Sequence, residues 1–334
     1  MARRVWPNRR GRQRGKSDGP DRGGHDLPLT KEGDEADQAV AEAGKRTTSR
    51  RDLSRHENFE NISPEVGELD EVAVDEAMQN SPDEMLGMLA DLTGATDPAL
   101  RALAQQLAGR LMLDIGNRGR TRPHGVGKME EQAYRPDAGD IDIDASLDAI
   151  SEARNGIALD PERLRIRGWR KPGTAFCLLL DRSGSMGGKP LATSAVATGA
   201  IASRCPEDYS VIAFGKDVVV AKSQDVPKSS ERVINDVLTL RGHGTTDLAG
   251  ALLAGQQQLS RSRAGRRVAI LLSDCRATVD GDAEAAAMSM DEVIVIAPAE
   301  DHDEAQAFAD RIGARIALVN GPSEIPEVLA RVLE

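Results

Sequence analysis

Two uninterrupted apolar runs constrain this chain more than any other feature. TAFCLLL (174–180) and the VAILL stretch (268–272) of RRVAILLSD show no polar alternation, the pattern of strands covered on both faces. Two further strand-like segments follow, DEVIVIA (291–297) and ARIALVN (314–320). Helical stretches separate them: an alanine-rich one over 189–205, then SSERVINDVLTL (229–240), TDLAGALLAGQQQLSR (246–261), GDAEAAAMSM (281–290) and EDHDEAQAFADRIG (300–313). SEIPEVLARVLE (323–334) closes the chain with a last helix. YSVIAFG and KDVVVAKS (209–223) read as a strand pair joined by a tight turn. Strands alternating with helices over this length predict an α/β fold: a doubly wound, mostly parallel sheet flanked by helices. Ligands on such sheets bind outside the carboxyl ends of the strands. Two strands end there in carboxylates, Asp181 and Asp274.

The preceding sequence differs in kind. Of the 334 residues, 1–62 are charged and lack hydrophobic period, so they are expected to be disordered, with a basic start, MARRVWPNRRGRQRGK. Residues 63–115 read as a helical region. SPEVGELDEVAVDEAMQ opens on a Ser-Pro signal, SPDEMLGMLADL places Ser81 at the N-cap, and DPALRALAQQLAGRLML places Asp97 there. Leucines 100, 103, 107 and 111 are expected to line one face of the last helix. These helices predict a small module or a docking surface. Residues 116–172 form a basic, glycine-rich linker and an approach segment, in which GDIDIDASLDAI alternates acid with isoleucine like a short strand. Residues 173–334 make the α/β domain.

Composition narrows the function. The net charge of −11 argues against a general nucleic-acid binder. The arginine-rich start is the exception, though Trp6 is its only stacking side chain. No window approaches the length of a transmembrane helix, and no apolar segment follows the basic start as a secretory signal requires. The three cysteines, 177, 205 and 275, are scattered, without a CxxC pair or Cys/His cluster. Together these features predict a reducing, cytoplasmic setting.

The chemistry concentrates in LLLDRSGSMGGKP (178–190). A Walker phosphate loop fails, because Pro190 follows Gly188-Lys189 and Ser183 stands where the first glycine belongs. A hydrolase elbow fails on the register of Gly184, Ser185 and Gly187. An aspartyl-phosphate enzyme calls for a second Asp where Ser183 stands. Hard oxygen donors at 181, 183 and 185 around a glycine turn suit Mg²⁺ or Mn²⁺. GHGTTDL (242–248) adds two threonines and LLSDC (271–275) adds Asp274. The competing reading is a metal-free set that caps helices and loops.

With these residues in place, the set resembles the von Willebrand factor A domain and its metal-ion-dependent adhesion site, over about residues 173–334. The matching residues are Asp181, Ser183, Ser185, Thr246 and Asp274, with Thr246 preferred over Thr245 because it directly precedes Asp247 and then an aliphatic residue. The resemblance implies that the serines and threonine bind the metal directly and the aspartates act through water. An open coordination position then takes an Asp or Glu carboxylate from a protein partner. Two departures stand out: Cys275 where many members have glycine, and Arg182 between the ligands.

LLLDRSGSMGGKPL before an alanine-rich helix also resembles an intracellular bacterial group. That group holds the magnesium chelatase D subunit, CoxE-like proteins and partners of MoxR-type AAA+ ATPases. It implies a Mg²⁺-dependent binding subunit that is not an enzyme by itself and works with a separate AAA+ ATPase. The target would be metal insertion or complex maturation, with the helices at 63–115 contacting the ATPase or client. The alternatives are a D-like subunit of a magnesium or cobalt chelatase, and a nucleic-acid-associated protein using the arginine tail.

Overall fold

The structure, a computed structural model, describes residues 30–118, 128–133, 140–154, 164–170, 173–182, 188–242 and 244–333. The chain begins with β1 (Thr30–Lys31), α1 (Asp34–Ala43), α2 (Arg50–Leu53), α3 (Phe59–Ile62), α4 (Glu71–Asn80), α5 (Pro82–Leu92) and α6 (Pro98–Asn117). A small antiparallel sheet follows, in the order β2 (Lys128–Ala133), β4 (Arg165–Arg170), β3 (Asp140–Ile141), with α7 (Leu147–Arg154) between β3 and β4 in sequence.

The α/β part runs β5 (Thr174–Asp181), α8 (Gly188–Arg204), β6 (Tyr209–Phe214), β7 (Val218–Lys222), α9 (Ser230–Thr239) and α10 (Leu248–Ser260). It continues with β8 (Arg266–Leu272), α11 (Ala283–Met288), β9 (Val293–Pro298), α12 (Asp303–Ile312), β10 (Arg315–Val319) and α13 (Ile325–Leu333).

The seven strands of the large sheet lie in the order β1-β7-β6-β5-β8-β9-β10. All neighbours are parallel except β6 and β7, the expected hairpin. Side chains alternate between two apolar layers, as period-2 strands require. Phe176, Leu178 and Leu180 face α5, α6, α8 and α9, whereas Ala175, Cys177 and Leu179 face α10, α11 and α12. Both faces of β5 are therefore dry, which is why its sequence shows no alternation.

The N-terminal third departs from the sequence-based expectation. Residues 30–62, expected to be disordered, form a strand and three helices, and Ala36, Leu53, Phe59 and Ile62 are buried. The strand β1 pairs parallel with β7, Thr30 opposite Val218, and lengthens the sheet by one. Short charged helices with a few apolar residues give too weak a period to read alone, and they are ordered by packing on the domain.

The helices of 63–115 are not a separate module. Leu86, Leu89, Leu100, Leu107 and Met112 share one continuous core with Ala195, Ile201 and Leu329. Helix α4 starts at Asp70, whose carboxylate accepts from the amides of Val72 and Ala73, so the Ser63-Pro64 pair does not open it. Asp97 caps α6 as expected, accepting from Leu100 at 2.8 Å. The buried stripe of α6 runs through Leu100, Ala104, Leu107, Ala108, Met112 and Ile115, while Leu103 is 42 % exposed. The close approach to α8 lies at the end of the helix, where a Cβ on Gly116 would lie 2.5 Å from the Ala200 amide. The alternating segment is a strand only at Asp140–Ile141.

Candidate functional site

The site is built where β5 and β8 end side by side. Leu180 pairs with Leu272 in parallel register, so the next residues, Asp181 and Ser273, meet one step beyond. The Ser273 hydroxyl donates to Asp181 Oδ2 at 2.6 Å, and both side chains are buried. Ser273 Oγ in turn accepts from the Cys275 amide at 2.8 Å, which turns the chain out of the strand. Cys275 adopts φ 60°, the left-handed region where glycine is ordinarily preferred. Its side chain is buried, and burial, followed by the charges of Asp274 and Asp181, pushes its thiol up to about 12. Asp274 is half-buried and accepts from the Arg276 amide at 3.0 Å.

Thr246 comes from the loop before α10. Its side chain is buried, and its hydroxyl has no hydrogen-bond partner among the described residues. Its amide donates to the Thr278 hydroxyl at 2.7 Å, and its carbonyl accepts from the amides of Thr278 and Val279. The threonine loop is thereby sewn to the segment that follows Asp274. Asp247 caps α10 by accepting from Gly250, and its amide reaches the Gly215 carbonyl at 3.0 Å. Hydrogen bonds thus form a partial circle round the strand ends, one arc running from Asp181 through Ser273 to the Cys275 amide, the other linking Thr278 to Thr246 and Asp247 to Gly215.

Arg182 stands outside that circle. Its amide donates to the Phe214 carbonyl at 2.7 Å, and its guanidinium donates to Asp217 Oδ1 at 2.8 Å. Burial alone would raise the Asp217 carboxyl, but the Lys31 ammonium, at 2.5 Å, and Arg182 hold it below the usual range. The positive charge that the sequence places between the candidate ligands is neutralised to one side. Gly242 is required by the same corner, because a Cβ there would lie 1.7 Å from the Arg182 carbonyl.

Of the predicted site residues, the structure brings Asp181 and Asp274 to one cleft of about 430 Å³, shared with Lys189, Ile296, Glu300 and Asn320. Thr246 is not among the residues lining that cleft, and Ser183 and Ser185 lie outside the described residues. Among the described residues no three His, Cys, Asp or Glu side chains gather as a metal cluster. The donors fit a hard divalent ion: a buried carboxylate, a half-buried one and the hydroxyl of a buried threonine. Ser273, Asp217 and Thr278 escaped sequence reasoning. Only Ser273 carried a signal, a hydroxyl at the end of a strand parallel to the one bearing Asp181.

Residues 176–315 match the profile of the von Willebrand factor type A domain. The chain carries a von Willebrand factor type A domain. No curated protein matches it. Solved structures that resemble it include proximal thread matrix protein 1 from the mussel byssus with a zinc-occupied MIDAS motif. That likeness has 15 % identity and a TM-score of 0.41, covering 48 % of this chain and 47 % of that one. The manganese-loaded TRAP protein of Plasmodium vivax shows 19 % identity and a TM-score of 0.40, over 47 % of this chain and 72 % of that one. BatB from Bacteroides thetaiotaomicron shows 16 % identity and a TM-score of 0.38, over 48 % of this chain and 97 % of that one. This chain thus spans about half the length of the mussel protein. The von Willebrand factor type A domain is typically an interaction module rather than an enzyme, and among the described residues no helix is long and apolar enough to cross a membrane.

Proposed function

We propose that this protein is a non-catalytic, divalent-cation-dependent binding subunit. Asp181, Ser183, Ser185, Thr246 and Asp274 hold Mg²⁺ or Mn²⁺, and the cation accepts a carboxylate from a protein partner. The observation that carries this reading is the buried Asp181 carboxylate at the end of β5, bonded to Ser273 and sharing one cleft with Asp274. A carboxylate buried at a strand end needs compensation. Ser273 supplies one hydrogen bond, and the carboxylate is a hard oxygen donor of the kind a divalent cation takes.

The residues divide the work by position. Ser273 fixes the Asp181 carboxylate in one orientation, the role of an outer-shell partner that sets a ligand's direction. With few charged ligands, the cation remains electrophilic and draws an external anionic oxygen. The neighbouring cleft, apolar at Leu272, Ile296 and Val319 and polar at its rim, gives room for the residues flanking the partner's carboxylate.

The partner in this reading is a separate MoxR-type AAA+ ATPase or its client, engaged in complex maturation or metal insertion. Apolar residues of α5 and α6 are buried in a core shared with α8, and this reading places the partner's contact at the sheet edge. The test is capture of partners from native cytosol with Mg²⁺, with EDTA, and with Asp181→Ala. An AAA+ ATPase or client retained only with Mg²⁺ and Asp181 supports the reading. Retention indifferent to both contradicts it.

A further inference from the structure

Helix α5 lies outside the matched domain, yet it grips the exit of the DxSxS segment. Asp91 Oδ1 accepts from the amide of Gly188, the first residue of α8, at 2.9 Å. Gly188 has φ 55°, so the chain enters the helix from a left-handed turn and its amide needs an acceptor other than the helix itself. The approach is close: a Cβ on Gly87 would lie 3.0 Å from the Lys189 amide. Lys189 also reaches back, its ammonium 2.6 Å from Glu84.

The same carboxylate sits in a second net. Asp91 Oδ2 meets His56 Nε2 at 3.0 Å. The Arg241 guanidinium donates to the carbonyls of Ala90 and Asp91, at 2.9 and 2.7 Å, and to the Thr48 hydroxyl at 2.9 Å. Arg241 precedes Gly242, the residue that packs on the Arg182 carbonyl at the entrance to the segment. Helix α5 therefore holds the exit directly and the entrance through Arg241. Ion pairing alone does not need this geometry, since two of the Arg241 bonds go to main-chain oxygens.

We infer that Asp91 is a positioning residue for the metal site. It caps α8 from a different helix and so fixes where the ligand-bearing segment rejoins the fold. The metal part of this inference rests on the proposed cation reading, and the capping part does not. A capping carboxylate replaced by alanine leaves a helix amide without an acceptor, whereas asparagine keeps the acceptor oxygen.

The test uses the full chain, with Asp91→Ala, Asp91→Asn and His56→Ala. Two quantities are measured: hydrogen exchange of the Gly188 amide in EDTA, and Mn²⁺ affinity by calorimetry. In Asp91→Ala, Gly188 exchange is expected to rise about tenfold and Mn²⁺ affinity to fall about tenfold. Asp91→Asn and His56→Ala are expected to stay within about twofold of wild type on both, because each keeps an acceptor at Gly188. A general loss of stability would move the asparagine and histidine variants as well. Should Asp91→Ala not fold, Asp91→Ser carries the same expectation, its shorter side chain stopping short of Gly188. Unchanged Gly188 exchange in the alanine variant overturns the inference, as does faster exchange with unchanged Mn²⁺ affinity. If wild type binds no Mn²⁺, the cation reading fails, and Gly188 exchange alone decides whether Asp91 is the cap.

Discussion

Asp181 and Ser273 meet at 2.6 Å across the ends of two adjacent parallel strands. The contact follows from register, since Leu180 opposite Leu272 leaves the next two residues facing each other. It also couples the two carboxylate-bearing turns, because Ser273 Oγ holds the Cys275 amide just past Asp274. Ser273→Ala removes a hydrogen bond to a buried carboxylate and leaves an amide without its acceptor. A bond to a charged group contributes about 1.5–3 kcal/mol, so urea denaturation is expected to show a loss of that order. Mn²⁺ affinity is expected to fall about tenfold in the same variant, as for other outer-shell partners.

Gly242→Ala tests the corner at Arg182. A methyl group 1.7 Å from the Arg182 carbonyl cannot be housed without moving backbone. Overpacking of this kind costs about 1–3 kcal/mol, and thermal melting is expected to show it. Gly244→Ala, with nothing within 4 Å of its Cβ but φ 98°, is the contrasting case in which cost comes from the backbone alone.

Asp217→Asn tests the neutralisation of Arg182. The guanidinium would keep its hydrogen bond to the Asp217 carbonyl but lose its counter-charge, as would Lys31. Asp217 is about one third exposed, so solvent screens part of the effect. The expected result is a modest loss, about 1 kcal/mol in urea denaturation, that shrinks as salt is added.

Much of the domain was legible in the sequence, and the reason is burial. Apolar runs at 174–180 and 268–272 read as strands covered on both faces, and the alternation with helices then dictates the sheet. That Asp181 and Asp274 come to one cleft was legible because each closes such a run. The N-terminal third was not. Ala36, Leu53 and Phe59 are isolated apolar positions in a charged segment, and their burial depends on surfaces provided elsewhere in the chain. The stripe on α6 was misplaced for a related reason. Leu103 and Ala104 both fit a helical period from Leu100, and it is the alanine that is buried while Leu103 is 42 % exposed.

The attachment of β1 predicts an acid response. Glu32 follows β1 and accepts from Arg261, Ser223 and Gln258. The bond from Arg261, against the opposing effect of burial, brings its carboxyl down from 4.5 to about 2. A depressed carboxyl contributes stability above its unfolded value, and the contribution fades as pH falls from 4.5 toward about 2. Wild type is therefore expected to lose more stability than Glu32→Gln over that window, by urea denaturation at stepped pH. Parallel curves for the two proteins would contradict the assignment.

The most direct measurement is calorimetric titration of the chelator-stripped full chain with Mn²⁺ and Mg²⁺, beside Asp181→Ala. The account predicts one saturable site in wild type that disappears in the variant, while the variant keeps its fold by circular dichroism. No binding in wild type, or binding that survives the loss of Asp181, would contradict it.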